Sequence, residues 1–292
     1  MATDSHNQKW SYERHILHEQ EIANASALPS CYCAPDTVDN WRHLRLRAGL
    51  LPLLKQDSGA SWVTLGDGNY GSDAYFLKQH GADALATSLT DTTLVAAADQ
   101  GFIHKYQAEN AERLSLEDQS TDYTLCKEAY HHFPRPAVAF YEMVRVSRKA
   151  VVLIEPVEGS GRILNRFKQW IKKRIRGDAG FEFERCGNYI FRLSLREMEK
   201  IMTAMNGKTI AYKYLNDFYK PSFRSDSVAP GSKGFRLTRL GILVQDFFCH
   251  LGLMDWGLVT FIAFTGPMTD ALRQDLLAHG FHVKDLPLNP YL

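Results

Sequence analysis

Short apolar runs alternate with segments of helical spacing along the first half of the chain. The runs are Ser61–Leu65, Ala84–Thr87, a possible strand at Phe102–Tyr106, Tyr123–Cys126 and the β-prone Ala150–Ile154. Between them, Ser72–His80, Asp91–Asp99 and Ala137–Val146 have helical character, the first stopping at Gly81. Short strands alternating with helices predict βαβ units and a parallel sheet with right-handed crossovers. Upstream, Thr37 is placed as an N-cap with Asp39 near the positive end of the helix dipole. Trp41, Leu44, Ala48 and Leu51 then recur at helical spacing, and the helix ends near Asp57-Ser58-Gly59. After Pro156 the rhythm changes. A basic helix is predicted over Gly161–Arg176, and Ser194-Leu195-Arg196-Glu197 has the form of a capping box. The helix it opens ends near Asn206-Gly207, and a strand follows at Thr209–Leu215. Pro221–Gly234, rich in Ser, Gly and Pro, is expected to be a mobile loop. A final strand (Val259–Phe264) and a helix (about Thr269–Ala278) complete the pattern.

Composition narrows the class. The chain has 292 residues, 45% hydrophobic and 23% charged, which is ordinary globular usage and enough to bury a core without staples. A net charge of +1 gives the whole molecule no strong field to recruit DNA or a membrane. The segment Met1–Trp10 has no apolar core of the kind a signal peptide needs. The most apolar region, Leu240–Phe264, is interrupted by Asp246, His250 and Asp255, whereas a membrane span needs about 20 nearly unbroken apolar residues. The five cysteines (Cys31, Cys33, Cys126, Cys186 and Cys249) are odd in number and lack a second ligand pair at zinc spacing. His15-Ile16-Leu17-His18-Glu19 lacks the H-E-x-x-H order and is read as part of an N-terminal amphipathic helix. A soluble cytoplasmic protein with reduced thiols and no metal site is the expectation.

The chemistry-bearing signal is Gly66-Asp67-Gly68-Asn69-Tyr70-Gly71, directly after a predicted strand and before a helix. Its glycines let a ligand approach the backbone closely, and the G-x-G-x-x-G spacing suits a nucleotide. At the end of the second strand, where a carboxylate would hold ribose hydroxyls, the chain has Ser88, and no acid until Asp91. A nicotinamide-dependent oxidoreductase would share the glycine turn but lack that acid.

Downstream, residues 109–123 followed by Tyr130-His131-His132-Phe133, and then Val151-Val152-Leu153-Ile154-Glu155-Pro156, resemble small-molecule class I S-adenosylmethionine-dependent methyltransferases of the methyltransferase type 11 group. The resemblance covers residues 60–156 and is looser from 157 to 292. It implies a Rossmann-like, seven-stranded, mostly parallel α/β sheet with helices on both faces. The single domain, 1–292, would comprise an N-terminal helical cap (1–58), a cofactor-binding core (59–156), and an insertion with the remaining strands and C-terminal helix (157–292). It implies S-adenosylmethionine as cofactor, with Gly66, Asp67, Gly68 and Gly71 on its methionine and ribose side. Ser88 falls to the ribose, Leu89 to the adenine face, Ala111 and Glu112 to the adenine edge, and Cys126 and Lys127 beneath the methionine portion. Two departures stand out: Thr64 replaces the acid usual two residues before the first glycine, and Ser88 replaces the ribose acid.

Tyr130, His131, His132 and Glu155 lie at or beyond the ends of the fourth and fifth predicted strands, where a parallel sheet opens its ligand crevice. They are the candidate catalytic residues: a histidine or Tyr130 as general base, unless the histidines are structural parts of the loop, and Glu155 either to orient substrate or to pair with a nearby base. In this fold an N-terminal segment often covers the acceptor site, which brings in His15, Tyr32 and Trp41. The acceptor expected is a small molecule or glycan, with a sugar hydroxyl in polysaccharide biosynthesis as the leading form. The basic helix, 162–176, has no acid and interleaves Ile163, Phe167, Trp170 or Ile171, and Ile175; it suits a peripheral membrane or phosphate contact. The alternatives are a non-catalytic methyltransferase-like binding protein and the oxidoreductase.

Overall fold

The computed structural model describes residues 6–25, 28–176, 183 and 189–291. Cys186 and most of the expected insertion between 177 and 188 lie outside the described residues. In chain order the helices are α1 (His6–Ala25), α2 (Ser30–Cys33), α3 (Val38–Arg47), α4 (Leu51–Gln56), α5 (Ser72–Gln79), α6 (Thr92–Asp99), α7 (Pro136–Val146), α8 (Ile163–Arg176), α9 (Leu195–Ala204), α10 (Lys233–His250) and α11 (Asp270–Ala278). The strands are β1 (Ser61–Leu65), β2 (Asp83–Ser88), β3 (Lys105–Ala108), β4 (Thr121–Lys127), β5 (Ser147–Pro156), β6 (Thr209–Leu215), β7 (Leu258–Phe264) and β8 (His282–Asp285).

The strands form one sheet in the order β3-β2-β1-β4-β5-β7-β6-β8. Pairings from β3 across to β5 are parallel, while β7 runs antiparallel to both β5 and β6. The expected seven-stranded sheet is thus extended by an eighth strand, β8, antiparallel on β6.

Alternation along the strands builds two cores. On β5, Val151 and Leu153 face one layer with Val63, Leu65 and Phe261; Ala150, Val152 and Ile154 face the other with Trp62, Leu125 and Ile262. A strand buried on both faces needs apolar residues at every position, which is why β5 reads as a continuous apolar run. Phe140 and Met143 of α7 and Met198 and Met202 of α9 cover the first face. Leu46 of α3, Leu53 of α4, Leu77 of α5 and Leu276 of α11 cover the second.

Three further expectations are corrected, and one element is added where the sequence pattern assigns none. Phe102 and Ile103 do not start a strand: Ile103 is buried beside Ala74 and Leu94, and β3 begins at Lys105 as an exposed polar edge. Ser194 opens α9 without a side-chain cap; its carbonyl, not its hydroxyl, receives Glu197 N and Met198 N. Residues 221–232 are pinned rather than loose, since Val38 N and Asp39 N donate to the Asp226 and Arg224 carbonyls and Val228 N donates to Asp36 O. Finally, the apolar region from Leu240 on is in its first half the helix α10, capped by Ser232, whose hydroxyl accepts from Phe235 N.

Candidate functional site

β1 ends in the glycine turn at the carboxyl edge of the sheet, next to the ends of β2 and β4. Gly66 has φ +70°, and a Cβ there would fall 2.5 Å from Ala129 Cβ, so both conformation and space demand glycine. A Cβ on Gly68 would lie 2.8 Å from Ser88 Oγ and 2.9 Å from Glu19 Oε1. Gly71, left-handed, caps α5. Asp67 does not face outward from this turn. Its carboxylate turns inward, accepting from Thr64 Oγ1 (2.9 Å), Asp73 N (3.1 Å) and Ala74 N (2.9 Å). It therefore caps α5, and only its backbone is left for a ligand. Burial, and then the neighbouring Asp73, push its carboxyl up to about 7.

The end of β2 meets a residue that the chain's pattern does not expose. Ser88, buried, donates to Glu19 Oε1 of α1 at 2.5 Å. Glu19 Oε2 accepts from Thr90 N at 2.9 Å and also from Thr90 Oγ1. A carboxylate therefore stands at the end of β2 after all, supplied by the N-terminal helix. Leu89 is half-buried beside it. The same helix sends Tyr12 to Glu112 Oε2 (2.7 Å) and His15 to the His132 carbonyl (2.9 Å). Glu112 also holds Arg135 through its N (2.6 Å) and Nε (2.7 Å), so its carboxylate joins α1 to the loop before α7. Ala111 is buried alongside.

The loop after β4 is anchored from below. Glu155, fully buried, accepts from Ala129 N (2.9 Å), Tyr130 N (3.0 Å) and His131 Nδ1 (2.6 Å). The geometry makes Glu155 and His131 holders of the loop, with the Tyr130 ring in the core and its phenol pushed up by burial. His132 packs against His131 and His15. Cys126 is buried, its thiol raised by burial and then by Glu155. Lys127 points into an ion network, 2.9 Å from Glu128 and 3.9 Å from Asp73, and Asp73 receives Arg47 Nε at 2.6 Å. Burial pushes the Glu128 carboxyl up, but Lys127 and His43 outweigh it and hold it at about 2. No cluster that could hold a metal ion occurs among the described residues.

A cleft of about 260 Å³ opens beside the glycine turn, lined by Asn69 of the turn and by Ser72, the first residue of α5. Its far wall is α3, which presents Asn40 and His43 at i, i+3 spacing, and Arg42. Asn40 Oδ1 and His43 Nδ1 are buried without a hydrogen-bond partner. Burial, then the Lys127 charge, hold the His43 imidazole down at about 4, so it is neutral at pH 7. Arg42 donates through Nε to Asp217 at 2.8 Å, and Arg224 lies 3.2 Å from Asp39, so the rim cations are largely neutralised. Tyr32 donates its hydroxyl to the Tyr70 carbonyl at 2.6 Å, and Trp41 packs edge-on against Phe235.

Residues 63–154 match the family model for the methyltransferase domain. This stretch is a class I methyltransferase domain. No curated protein matches the chain in sequence. Among solved structures, the Haloferax volcanii protein in complex with the Trm112 methyltransferase activator is 14% identical, with a TM-score of 0.50, covering 78% of this chain and 94% of its own. The YcgJ protein of Bacillus subtilis is 15% identical (TM-score 0.49; 76% and 100% covered). The magnesium protoporphyrin IX methyltransferase of Synechocystis, solved with S-adenosylhomocysteine, is 12% identical (TM-score 0.48; 77% and 84% covered). The sheet order agrees with the methyltransferase assignment: a dinucleotide-binding Rossmann sheet runs 3-2-1-4-5-6, whereas here the antiparallel β7 lies between β5 and β6.

Within the methyltransferase domain, the structure gathers Gly66, Gly68, Ser88 and Leu89 around one edge. Gly66 also abuts the β4 loop, where a Cβ would fall 2.5 Å from that of Ala129, whose N–H donates to Glu155. Sequence reasoning misses Glu19, Asn40, His43 and the Arg47–Asp73–Lys127–Glu128 network. The one signal for Glu19 is indirect: a ribose position without an acid.

Proposed function

We propose that the protein transfers a methyl group from S-adenosylmethionine to a hydroxyl or amine of a small polar molecule or glycan seated in the α3 cleft. The observation that carries this reading is that Asn69 of the glycine turn and Ser72, the first residue of α5, line the cleft. The residues present fit the cofactor. Gly66 and Gly68 stand where any side chain would collide with Ala129 or with Ser88 and Glu19, so the turn presents bare backbone; Glu19 and Ser88 offer acceptors for a ribose diol, and Leu89 supplies an apolar surface. When bound, the sulfonium supplies a methyl already activated toward a nucleophile, so much of the rate is left to alignment. The chain's part is to hold the acceptor. Asn40 Oδ1 and the neutral His43 Nδ1 accept from its hydroxyls or amine, which answers their own lack of hydrogen-bond partners. Unpartnered acceptors of this kind suit a sugar hydroxyl, the acceptor we favour. The Arg47–Asp73 ion pair, 2.6 Å and buried, stiffens the base of the cleft.

Calorimetry with S-adenosylhomocysteine tests the reading. Micromolar binding by the wild type, lost in a folded Gly68→Arg variant, is the expected result. A second reading, a non-catalytic methyltransferase-like protein, is favoured by the position of α1, whose Glu19 carboxylate lies against Gly68. That reading requires the wild type to give no heat with the same ligand.

A further inference from the structure

α10 is apolar on two sides. Phe235, Thr238, Ile242 and Cys249 face the interior. On the opposite side Leu240 (55%), Leu243 (60%), Phe247 (59%) and Leu251, just past the helix (56%), are exposed at successive turns. A helix needs one buried stripe to hold its place; a second stripe, in water, has no part in the fold.

α8 extends that surface. Ile163, Phe167 and Trp170 are 68%, 57% and 54% exposed, and the Phe167 and Trp170 rings lie nearly parallel, 6.0 Å apart. The two helices are joined at the end of α10: Arg162 Nη1 donates to Gly252 O (2.6 Å) and Leu164 N to Leu253 O (3.1 Å). Cations border the stripes. Arg166, Lys168 and Arg174 are exposed on α8, with Arg174 over the Trp170 ring at 5.2 Å; Lys233, Arg236 and Arg239 border the stripe on α10. α8 contains no acid, and the single acid of α10, Asp246, accepts from Asn216 Nδ2. Lys233, Arg236 and Arg239 also border a groove of about 550 Å³ floored by Leu240 and Leu243.

We propose that the α8–α10 face docks on an anionic lipid surface, with the apolar stripes in the acyl boundary and the cations among headgroup phosphates. The charge decides the occupant. A second copy would set cations against cations across a two-fold axis. A nucleic acid has no use for so much aliphatic surface. An anionic bilayer answers both, and a tryptophan beside arginine suits the interface. The contact is peripheral, since no helix among the described residues is long and apolar enough to cross a membrane. On the interior side of α10, Phe235 packs against Trp41 of α3, 5.1 Å between ring centres, so the docking helix rests on the helix that walls the cleft.

Vesicle flotation of the full chain is the test, with neutral phosphatidylcholine compared with a mixture of about one-third phosphatidylserine at physiological salt. The wild type should bind the anionic vesicles at least about tenfold more tightly than the neutral ones. Leu240→Glu/Phe247→Glu should lose about tenfold or more of that binding while keeping the wild-type circular dichroism and thermal midpoint. Equal binding to both vesicles, no binding to either, or a double variant that floats like the wild type would each overturn the proposal. So would a concentration-dependent dimer abolished by the same variant, which would assign the face to a second copy.

Discussion

At the level of single residues, Glu19 and Ser88 pose the sharpest question. A carboxylate oxygen has room for two hydrogen bonds; Glu19 Oε1 takes one, from Ser88, and lies against Gly68. If Glu19 is the ribose acceptor, Glu19→Gln should weaken S-adenosylhomocysteine binding by about tenfold, the loss of one charge-assisted bond. Placing the acid on the strand instead, in Glu19→Gln/Ser88→Asp, should restore most of it, because the amide introduced on α1 can then donate to the carboxylate introduced on β2. Ser88→Asp alone should bind worse than wild type, with two carboxylates forced together. Tighter binding by Glu19→Gln, read by the same calorimetry, would instead mark Glu19 as a plug. None of this is written in the periodicity of the chain. Ser88 stands out in the sequence as a gap, but only folding brings residue 19 to within 2.5 Å of it. Asn40 and His43 are equally silent, because a buried unpaired atom is a property of packing and not of residue type.

Among elements, legibility follows chemistry. β1 and β6 are placed to the residue, since Trp, Val, Ile and Tyr runs bounded by Ser, Gly and Asn leave little choice. α10 is missed because apolar residues on both of its faces erase the 3.6-residue contrast by which a helix is recognised. β3 is misplaced because an exposed edge strand needs no apolar residues, so the nearby Phe102 and Ile103 draw the assignment. The β4 loop repeats the lesson at its anchor. Glu155 is expected either beside substrate or paired with a nearby base, and the pairing is what is found: it has 0% exposure and accepts three hydrogen bonds from the loop, one of them from His131. Removing it in Glu155→Ala leaves two buried N–H groups and a histidine without their acceptor, which should cost about 3 kcal/mol. Glu155→Gln, which keeps an accepting oxygen for the backbone, should cost less. Urea denaturation of the two variants measures the difference; midpoints equal to wild type would return Glu155 to the groups free to act on substrate.

For the molecule as a whole, the buried titrating groups set stability against each other as pH changes. The His43 imidazole is held at about 4, below its ordinary 6.5. Between those values the unfolded chain takes up a proton that the folded chain refuses, so His43 lowers stability as pH falls from 7 toward 4. Asp67 acts in the opposite sense. Its carboxyl is raised from 3.8 to about 7, so the folded chain retains a proton that the unfolded chain has lost, and stability falls as pH rises through this range. Each effect is on the order of 1–2 kcal/mol between pH 5 and 7, and the two oppose each other. The wild type should therefore show a flatter unfolding midpoint across this range than a variant that lacks either group. His43→Gln unmasks Asp67 and should be more stable at pH 5 than at pH 7. Asp67→Asn, which keeps an oxygen to cap α5, unmasks His43 and should be less stable at pH 5. Opposite tilts in the two variants, measured by urea denaturation at both pH values, would establish that the glycine turn and the cleft wall carry the titrating groups. Parallel tilts would mean that the balance lies elsewhere. Below about pH 4.5 no such compensation exists for Glu128, held at about 2 by Lys127 and His43 once burial is outweighed. Its contribution is present above 4.5 and is lost as pH falls through 2, so acid unfolding should begin where Glu128 meets His43, in the wall against which the proposed acceptor rests.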